Sequence, residues 1–104
     1  MRTDEISTAI SNGETIEITT QDGKIHIAPL GIGYNGKNIN VLAIYLDGYS
    51  LSKSLGKAKS DFRMYTLDNI IDAFPTGMSH NLKSEFTREY IERSFDKTII
   101  TIHS

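Results

Sequence analysis

The chain has 104 residues, a formal net charge of −2 and no cysteine. The length fits one domain, since domains most often contain about 100–150 residues, and the absence of cysteine excludes disulfides and thiolate zinc sites. The slightly acidic charge argues against a broadly basic nucleic-acid coat. The polar start of the chain does not have the apolar run expected of a secretory signal, and no apolar run approaches the roughly 20 residues that span a bilayer. We therefore expect one cytoplasmic domain.

The first third of the chain predicts a helix followed by a hairpin. Ile6, Ala9 and Ile10 recur at helical spacing, and Gly13 is typical of a residue that follows a helix end. Residues 15–20 alternate between apolar and polar, which predicts a half-buried strand. An Asp-Gly turn then leads into a second strand over residues 25–28. Pro29 is expected at a strand edge or a strand end, because proline has no N–H for the ladder, and residues 31–34 predict a third short strand.

The middle of the chain predicts two more strands around a polar loop. Residues 39–46 are nearly all apolar, which favours a buried strand after the Asn-Gly turn at 35–36. Residues 49–60 are rich in Ser, Lys and Gly and predict a mobile loop. Residues 61–66 predict a fifth strand. Residues 67–74 fit either a helical turn or a strand end, and the Pro-Thr-Gly that follows is expected to stop it.

The last part predicts an amphipathic helix and a terminal strand. In residues 79–94 the apolar side chains fall on one face, and we expect that face to be core or a dimer contact. Residues 98–103 are β-branched and predict a strand. Short antiparallel strands joined by tight turns indicate a mainly-β (α+β) fold: a small antiparallel β-barrel or strongly bent sheet, with a short N-terminal helix and a C-terminal amphipathic helix followed by a strand.

The order of residues 6–73 resembles the WYL domain, a small SH3/Sm-like barrel that senses ligands in bacterial and phage regulators. The resemblance rests on five segments: Ala9-Ile10 with Gly13, Ala28-Pro29-Leu30-Gly31, the strand that begins Gly36-Lys37-Asn38, Phe62-Arg63, and Leu67-Asp68-Asn69-Ile70. Ile39-Asn40-Val41 stands where the family has Trp-Tyr-Leu. The resemblance implies a single, stand-alone WYL-like domain over residues 1–104. Its barrel would cover about 6–74, with the C-terminal helix and strand at about 79–103.

The resemblance also implies a ligand-sensing site, of whose basic residues only Arg63 remains. A guanidinium offers a planar fork of donors to phosphate or carboxylate. The alternative is an ion pair of Arg63 with Asp61, Asp68 or a glutamate of the C-terminal helix. Stand-alone sensor domains of this kind occur in phages and mobile elements.

A basic and aromatic cluster around Arg63 extends this candidate site. A surplus of positive charge and nearby aromatic rings can track a nucleic-acid backbone and stack with its bases. The alternative for each lysine is a solvated side chain, and for His26 a structural or surface role. The candidate ligand-binding or nucleic-acid-binding residues are Arg63, Lys53, Lys57, Lys59, Tyr45, Tyr49, Tyr65 and His26.

No catalytic motif, cofactor motif or metal-ligand spacing stands out in the sequence. We therefore expect a non-enzymatic regulatory module without a cofactor, which binds a nucleotide-like small anionic ligand or single-stranded nucleic acid. The alternative is a protein-interaction module that forms a homodimer or binds a host protein through a free sheet edge or a helix face.

Overall fold

The computed structural model describes residues 2–46 and 62–104, and these form one helix, six strands and a short second helix. The elements before the gap are α1 (Arg2–Asn12), β1 (Glu14–Thr20), β2 (Gly23–Asn35) and β3 (Asn38–Tyr45). Those after it are β4 (Phe62–Thr66), a 3-10 turn (Leu67–Asn69), β5 (Asp72–Ser79), a second 3-10 turn (Leu82–Ser84), α2 (Arg88–Glu92) and β6 (Lys97–Thr101). The fold is therefore mainly β with helices at both ends, as the sequence predicts.

The six strands form one antiparallel sheet in the order β4-β3-β2-β1-β5, with β6 on β2. The long strand β2 organises it. Its first part, up to Ile27, pairs with β1, and its last part, from Gly31, pairs with β6. Strand β3 pairs along the other edge of β2. Two different strands therefore share one edge of β2. The sheet divides at this edge into one part that contains β1 and β5 and another that contains β6.

Pro29 lies inside β2 and does not end it, contrary to expectation. The pairing of β2 with β3 shifts register between Pro29 and Gly31, so this is the position of a bulge. A bulge bends a strand and increases its twist, and it is one of the few places where a sheet accepts proline. The strands predicted at 25–28 and 31–34 are therefore one bent strand.

The C-terminal region is the second departure from the expected structure. Strand β5 continues through Pro75-Thr76-Gly77, where the sequence predicts a stop, and ends at Ser79. The predicted C-terminal helix is present as the short α2 and does not extend over the whole of 79–94. The described residues there contain only the second 3-10 turn and the five-residue α2, whose first turn is capped by Thr87 Oγ1 accepting from Tyr90 N at 3.1 Å. Pro75 is tolerated because β5 is an outer strand of the sheet. The burial of Leu82, Phe86 and Ile91 follows the predicted apolar face without a continuous helix.

The sheet is not closed into a barrel. The outer strands β4 and β5 do not pair with each other in the described residues, although the 3-10 turn Leu67–Asn69 brings the chain from one to the other. Helix α1 packs against β1, β2 and β5 and contributes Ile6, Ala9 and Ile10 to the core. The bent-sheet form of the prediction fits this arrangement, and the closed form does not.

Two glycines of β2 let the C-terminal segment lie directly on the sheet. A Cβ at Gly31 would lie 3.0 Å from Ile91 Cγ2, and one at Gly33 would lie 2.4 Å from Phe95 Cγ. Any larger residue at Gly33 would collide with the ring of Phe95 and with the Lys97 carbonyl, 2.7 Å away. These glycines therefore set how closely α2 and β6 approach β2.

Candidate functional site

Arg63 lies on β4 with its side chain exposed and its guanidinium over an aromatic ring. The guanidinium carbon is 5.4 Å from the centroid of the Tyr45 ring, within the range of a cation–π contact. One of its nitrogens, Nη1, donates to the Phe62 carbonyl at 3.1 Å. A guanidinium has five N–H donors, so this bond leaves donors at Arg63 for a ligand.

Tyr45 and Tyr65 lie on the same face of the sheet as Arg63. Arg63 is paired with Ala43 and Tyr65 with Val41, so the pleat points these two side chains and that of Tyr45 to one face. Arg63 lies diagonally across from Tyr45, which is two residues from Ala43. Burial raises the pKa of the Tyr65 phenol, against a smaller opposite effect from Arg63. The phenol therefore stays neutral at physiological pH and can donate a hydrogen bond. We call Tyr45, Arg63 and Tyr65 the β3–β4 cluster.

Most of the alternative ion pairs proposed for Arg63 do not form. Within residues 2–46 and 62–104, the ion pair is Lys24 Nζ to Glu17 Oε1 at 4.0 Å, and neither Asp68 nor a glutamate of α2 reaches Arg63. Asp61, the remaining alternative, lies outside the described residues. The contacts of Arg63 in the described structure are thus aromatic and backbone contacts.

The other candidate residues are not part of this cluster in the described structure. Tyr49, Lys53, Lys57 and Lys59 all lie outside the described residues, as does the loop predicted over 49–60. His26 lies on the other side of the sheet from the β3–β4 cluster, because its neighbour Ile27 is the residue paired with Tyr45.

His26 belongs to a hydrogen-bonded group with two threonines. Its Nε2 is 2.8 Å from Thr15 Oγ1, and that hydroxyl is 2.5 Å from Thr76 Oγ1. Thr15 is completely buried, and Thr76 Oγ1 also donates to the Thr15 carbonyl at 3.2 Å. Burial lowers the pKa of His26, and Glu17 opposes this weakly. The group ties β1, β2 and β5 together, which agrees with the structural reading of His26.

A groove of about 250 Å³ lies on the opposite face of the sheet from the β3–β4 cluster, and the sequence did not indicate it. Leu42 and Phe62 come from β3 and β4, and Tyr90, Arg93 and Ser94 come from α2 and the turn after it. The rings of Phe62 and Tyr90 lie 5.6 Å apart between centroids. The apolar periodicity of 79–94 marks Tyr90 as part of a packed face, but nothing in the sequence signals that Arg93 lies beside it.

The described residues contain no group of three or more His, Cys, Asp or Glu placed to hold a metal ion. No described helix is long and apolar enough to cross a membrane. Comparison with known families and curated proteins finds no family model and no curated protein that matches the chain.

Proposed function

We propose that this protein is a non-enzymatic binding module and that the β3–β4 cluster binds an anion carrying a planar ring, which is the chemistry of a nucleotide. The observation that carries the proposal is the exposed guanidinium of Arg63, held over Tyr45 and without a carboxylate partner in the described residues. Guanidinium donors match phosphate oxygens, and tyrosine faces stack with bases.

The β3–β4 cluster combines the two elements that this ligand requires. The cation–π contact with Tyr45 orients the guanidinium, so less conformational freedom is lost when an anion binds. The half-buried phenol of Tyr65 adds a neutral donor on the same face. A free nucleotide and single-stranded nucleic acid both have this chemistry. Positive charge from the lysines at 53, 57 and 59 would favour single-stranded nucleic acid, which carries many phosphates.

We also propose that the chain is a divergent relative of the WYL domain, with a bent sheet in place of the closed SH3/Sm-like barrel. The support is the order of the elements: a helix, four consecutive antiparallel strands, a 3-10 turn and a fifth strand that pairs with β1. Phe62-Arg63 starts β4, and Leu67-Asp68-Asn69 forms the 3-10 turn after it; both segments are among those on which the resemblance rests. On the same resemblance we propose that the protein is a regulator carried by a phage or another mobile element.

A binding titration tests the ligand. Fluorescence anisotropy of a labelled oligothymidylate at low salt should show saturable binding that weakens as salt rises. Arg63→Gln should lose about 1.5–3 kcal/mol for a charged hydrogen bond, or about 10- to 150-fold in affinity. Lys37→Gln is the matched control, because Lys37 lies exposed at the β2–β3 turn and carries the same charge.

Thymidine monophosphate added to the same titration shows whether the site prefers a free nucleotide or single-stranded nucleic acid. Competition at concentrations close to those of the oligonucleotide indicates a nucleotide site. Competition only at far higher concentrations indicates a site for single-stranded nucleic acid. Equal affinity of wild type and Arg63→Gln for both ligands contradicts the proposal, and so does the absence of binding to either.

The outer strand β5 supports a second candidate, a protein-interaction module. Ile71, Phe74 and Met78 are 61%, 51% and 41% exposed on or beside this strand. An unpaired strand edge with apolar side chains can pair with another strand. If this is the functional surface, size-exclusion mass measurement should give a dimer that Phe74→Ser converts to a monomer, and a monomer at all concentrations excludes homodimerisation.

A further inference from the structure

We infer that the groove lined by Leu42, Phe62, Tyr90, Arg93 and Ser94 is a second binding site, for a small carboxylate attached to an aromatic or apolar body. The proposal is independent of the β3–β4 cluster, because the groove lies on the other face of the sheet. Phe62 and Arg63 are consecutive residues of β4, so the pleat points their side chains to opposite faces.

The inner part of the groove is apolar and aromatic. Leu42 is nearly buried at its floor. Phe62 and Tyr90 lie with their ring planes tilted by 30°, and both contact Phe86, at 5.1 and 5.7 Å between centroids. This three-ring contact fixes the orientation of the Phe62 and Tyr90 side chains. A planar apolar ligand would therefore meet a preformed surface instead of having to order one.

The rim of the groove carries the positive charge. Arg93 follows α2 directly, and its backbone N–H bonds to the Glu89 carbonyl at 3.1 Å, which fixes where its side chain begins. In the described part of the chain the guanidinium of Arg93 has no ion-pair partner, although Glu89 lies one turn earlier. An exposed, unpaired guanidinium beside an apolar floor is complementary to a carboxylate on an apolar body.

The backbone around the rim is held in place by the β2–β3 turn. Asn35 Nδ2 donates to the Ser94 carbonyl at 2.9 Å, and Asp96 Oδ2 accepts from Gly36 N at 2.8 Å. Asp96 N also donates to the Tyr34 carbonyl at 2.8 Å. These bonds fix the segment that carries Arg93 and Ser94 relative to β2 and β3, so the distance between rim and floor is set by the fold.

The size of the groove matches a small molecule. Pockets for drug-sized ligands measure about 300–1,000 Å³, and this groove is smaller. A single aromatic ring with a short carboxylate arm matches both the volume and the arrangement of an apolar floor and one cationic rim residue. Phenylacetate is the probe for this class, and phenylacetamide is its uncharged counterpart of nearly the same shape.

The test is a titration followed by ¹⁵N–¹H correlation spectra of the full chain. Millimolar phenylacetate should give saturable shifts of the backbone amides of residues 90–94 and of Leu42 and Phe62. Phenylacetamide should bind about fivefold more weakly, which is the factor expected of an exposed ion pair. Arg93→Gln should weaken phenylacetate binding by a similar factor and abolish the preference for the acid over the amide.

Two control variants keep the outcome interpretable. Lys83→Gln removes one charge from an exposed residue of the same C-terminal segment and should leave the affinity unchanged. Arg63→Gln should also leave it unchanged, which separates this site from the β3–β4 cluster. Absence of saturable shifts at the groove, or equal phenylacetate affinity of wild type and Arg93→Gln, overturns the inference whatever the result for the nucleotide.

Discussion

Alanine at Gly33 should destabilise the protein more than alanine at Gly31, although both glycines lie in the same strand and face the same C-terminal segment. A Cβ at Gly33 would lie 2.4 and 2.6 Å from two ring carbons of Phe95 and 2.7 Å from the Lys97 carbonyl oxygen. A Cβ at Gly31 would lie 3.0 Å from the Ile91 side chain and 3.1 Å from the Ile100 carbonyl oxygen.

The distances set the size of the expected effect. An ordinary contact begins near 3.4 Å, so the Phe95 ring would have to move by about 1 Å (3.4 − 2.4) for Gly33→Ala and the neighbouring atoms by about 0.4 Å (3.4 − 3.0) for Gly31→Ala. Overpacking of this kind costs about 1–3 kcal/mol and occasionally more. We predict a loss of about 3 kcal/mol for Gly33→Ala and about 1 kcal/mol for Gly31→Ala.

Urea unfolding followed by circular dichroism measures both changes. A loss of about 3 kcal/mol is a large part of the total stability of a small domain, about 5–15 kcal/mol, and should lower the midpoint strongly. If Gly33→Ala unfolds within about 0.5 kcal/mol of the wild type, the close packing of Phe95 and β6 on β2 is incorrect. The position of α2, and with it the groove, would then be in error as well.

Substitutions at Thr15 and His80 test the roles of two further polar residues. Thr15→Val removes the hydroxyl that contacts both His26 and Thr76 and should lower the free energy of unfolding in urea by about 1–2 kcal/mol. Thr15→Ser keeps the hydroxyl and should keep most of the stability. Equal stability of the two variants contradicts the role of that hydroxyl. His80 Nδ1 accepts from Leu82 N at 3.2 Å, and burial lowers the pKa of this histidine below its ordinary value of 6.5. The unfolded state then binds protons more readily, so stability is complete above that value and falls as the pH drops below it. Urea unfolding at a series of pH values should show that acidification lowers the free energy of unfolding less in His80→Gln than in the wild type. Part of the pH dependence should remain, because the pKa of His26 is lowered as well. The same pH dependence in both proteins rules out this contribution of His80.

The strands of the first two-thirds could be predicted because their signals are local. Alternation in residues 15–20, the Asp-Gly and Asn-Gly turns and the apolar run at 39–46 each follow from backbone geometry within a few residues. Which strands become neighbours is not a local property. The pairing of β5 with β1 joins parts of the chain that are far apart in sequence, and the pairing of β6 with β2 begins only after the bend at Pro29, where the sequence predicts an edge or a strand end.

The C-terminal error has a specific cause. The spacing of Leu82, Phe86 and Ile91 satisfies a helical period, but these residues are buried from a 3-10 turn, a connecting segment and a five-residue helix. Tertiary packing on Phe62 and on the two glycines of β2 overrides the periodicity. For the same reason the position of Arg93 beside Tyr90 could not be predicted. Arg63, Tyr45 and Tyr65 belong to consecutive strands, so their position on one face could be predicted.

The measurement that tests the central claim most directly is a map of backbone amide shifts on addition of oligothymidylate at low salt. The proposed function predicts that the largest shifts fall on β3 and β4, around Tyr45, Arg63 and Tyr65, and that they diminish in Arg63→Gln and with added salt. Shifts confined to β5, or an unchanged spectrum at saturating oligonucleotide, would contradict it.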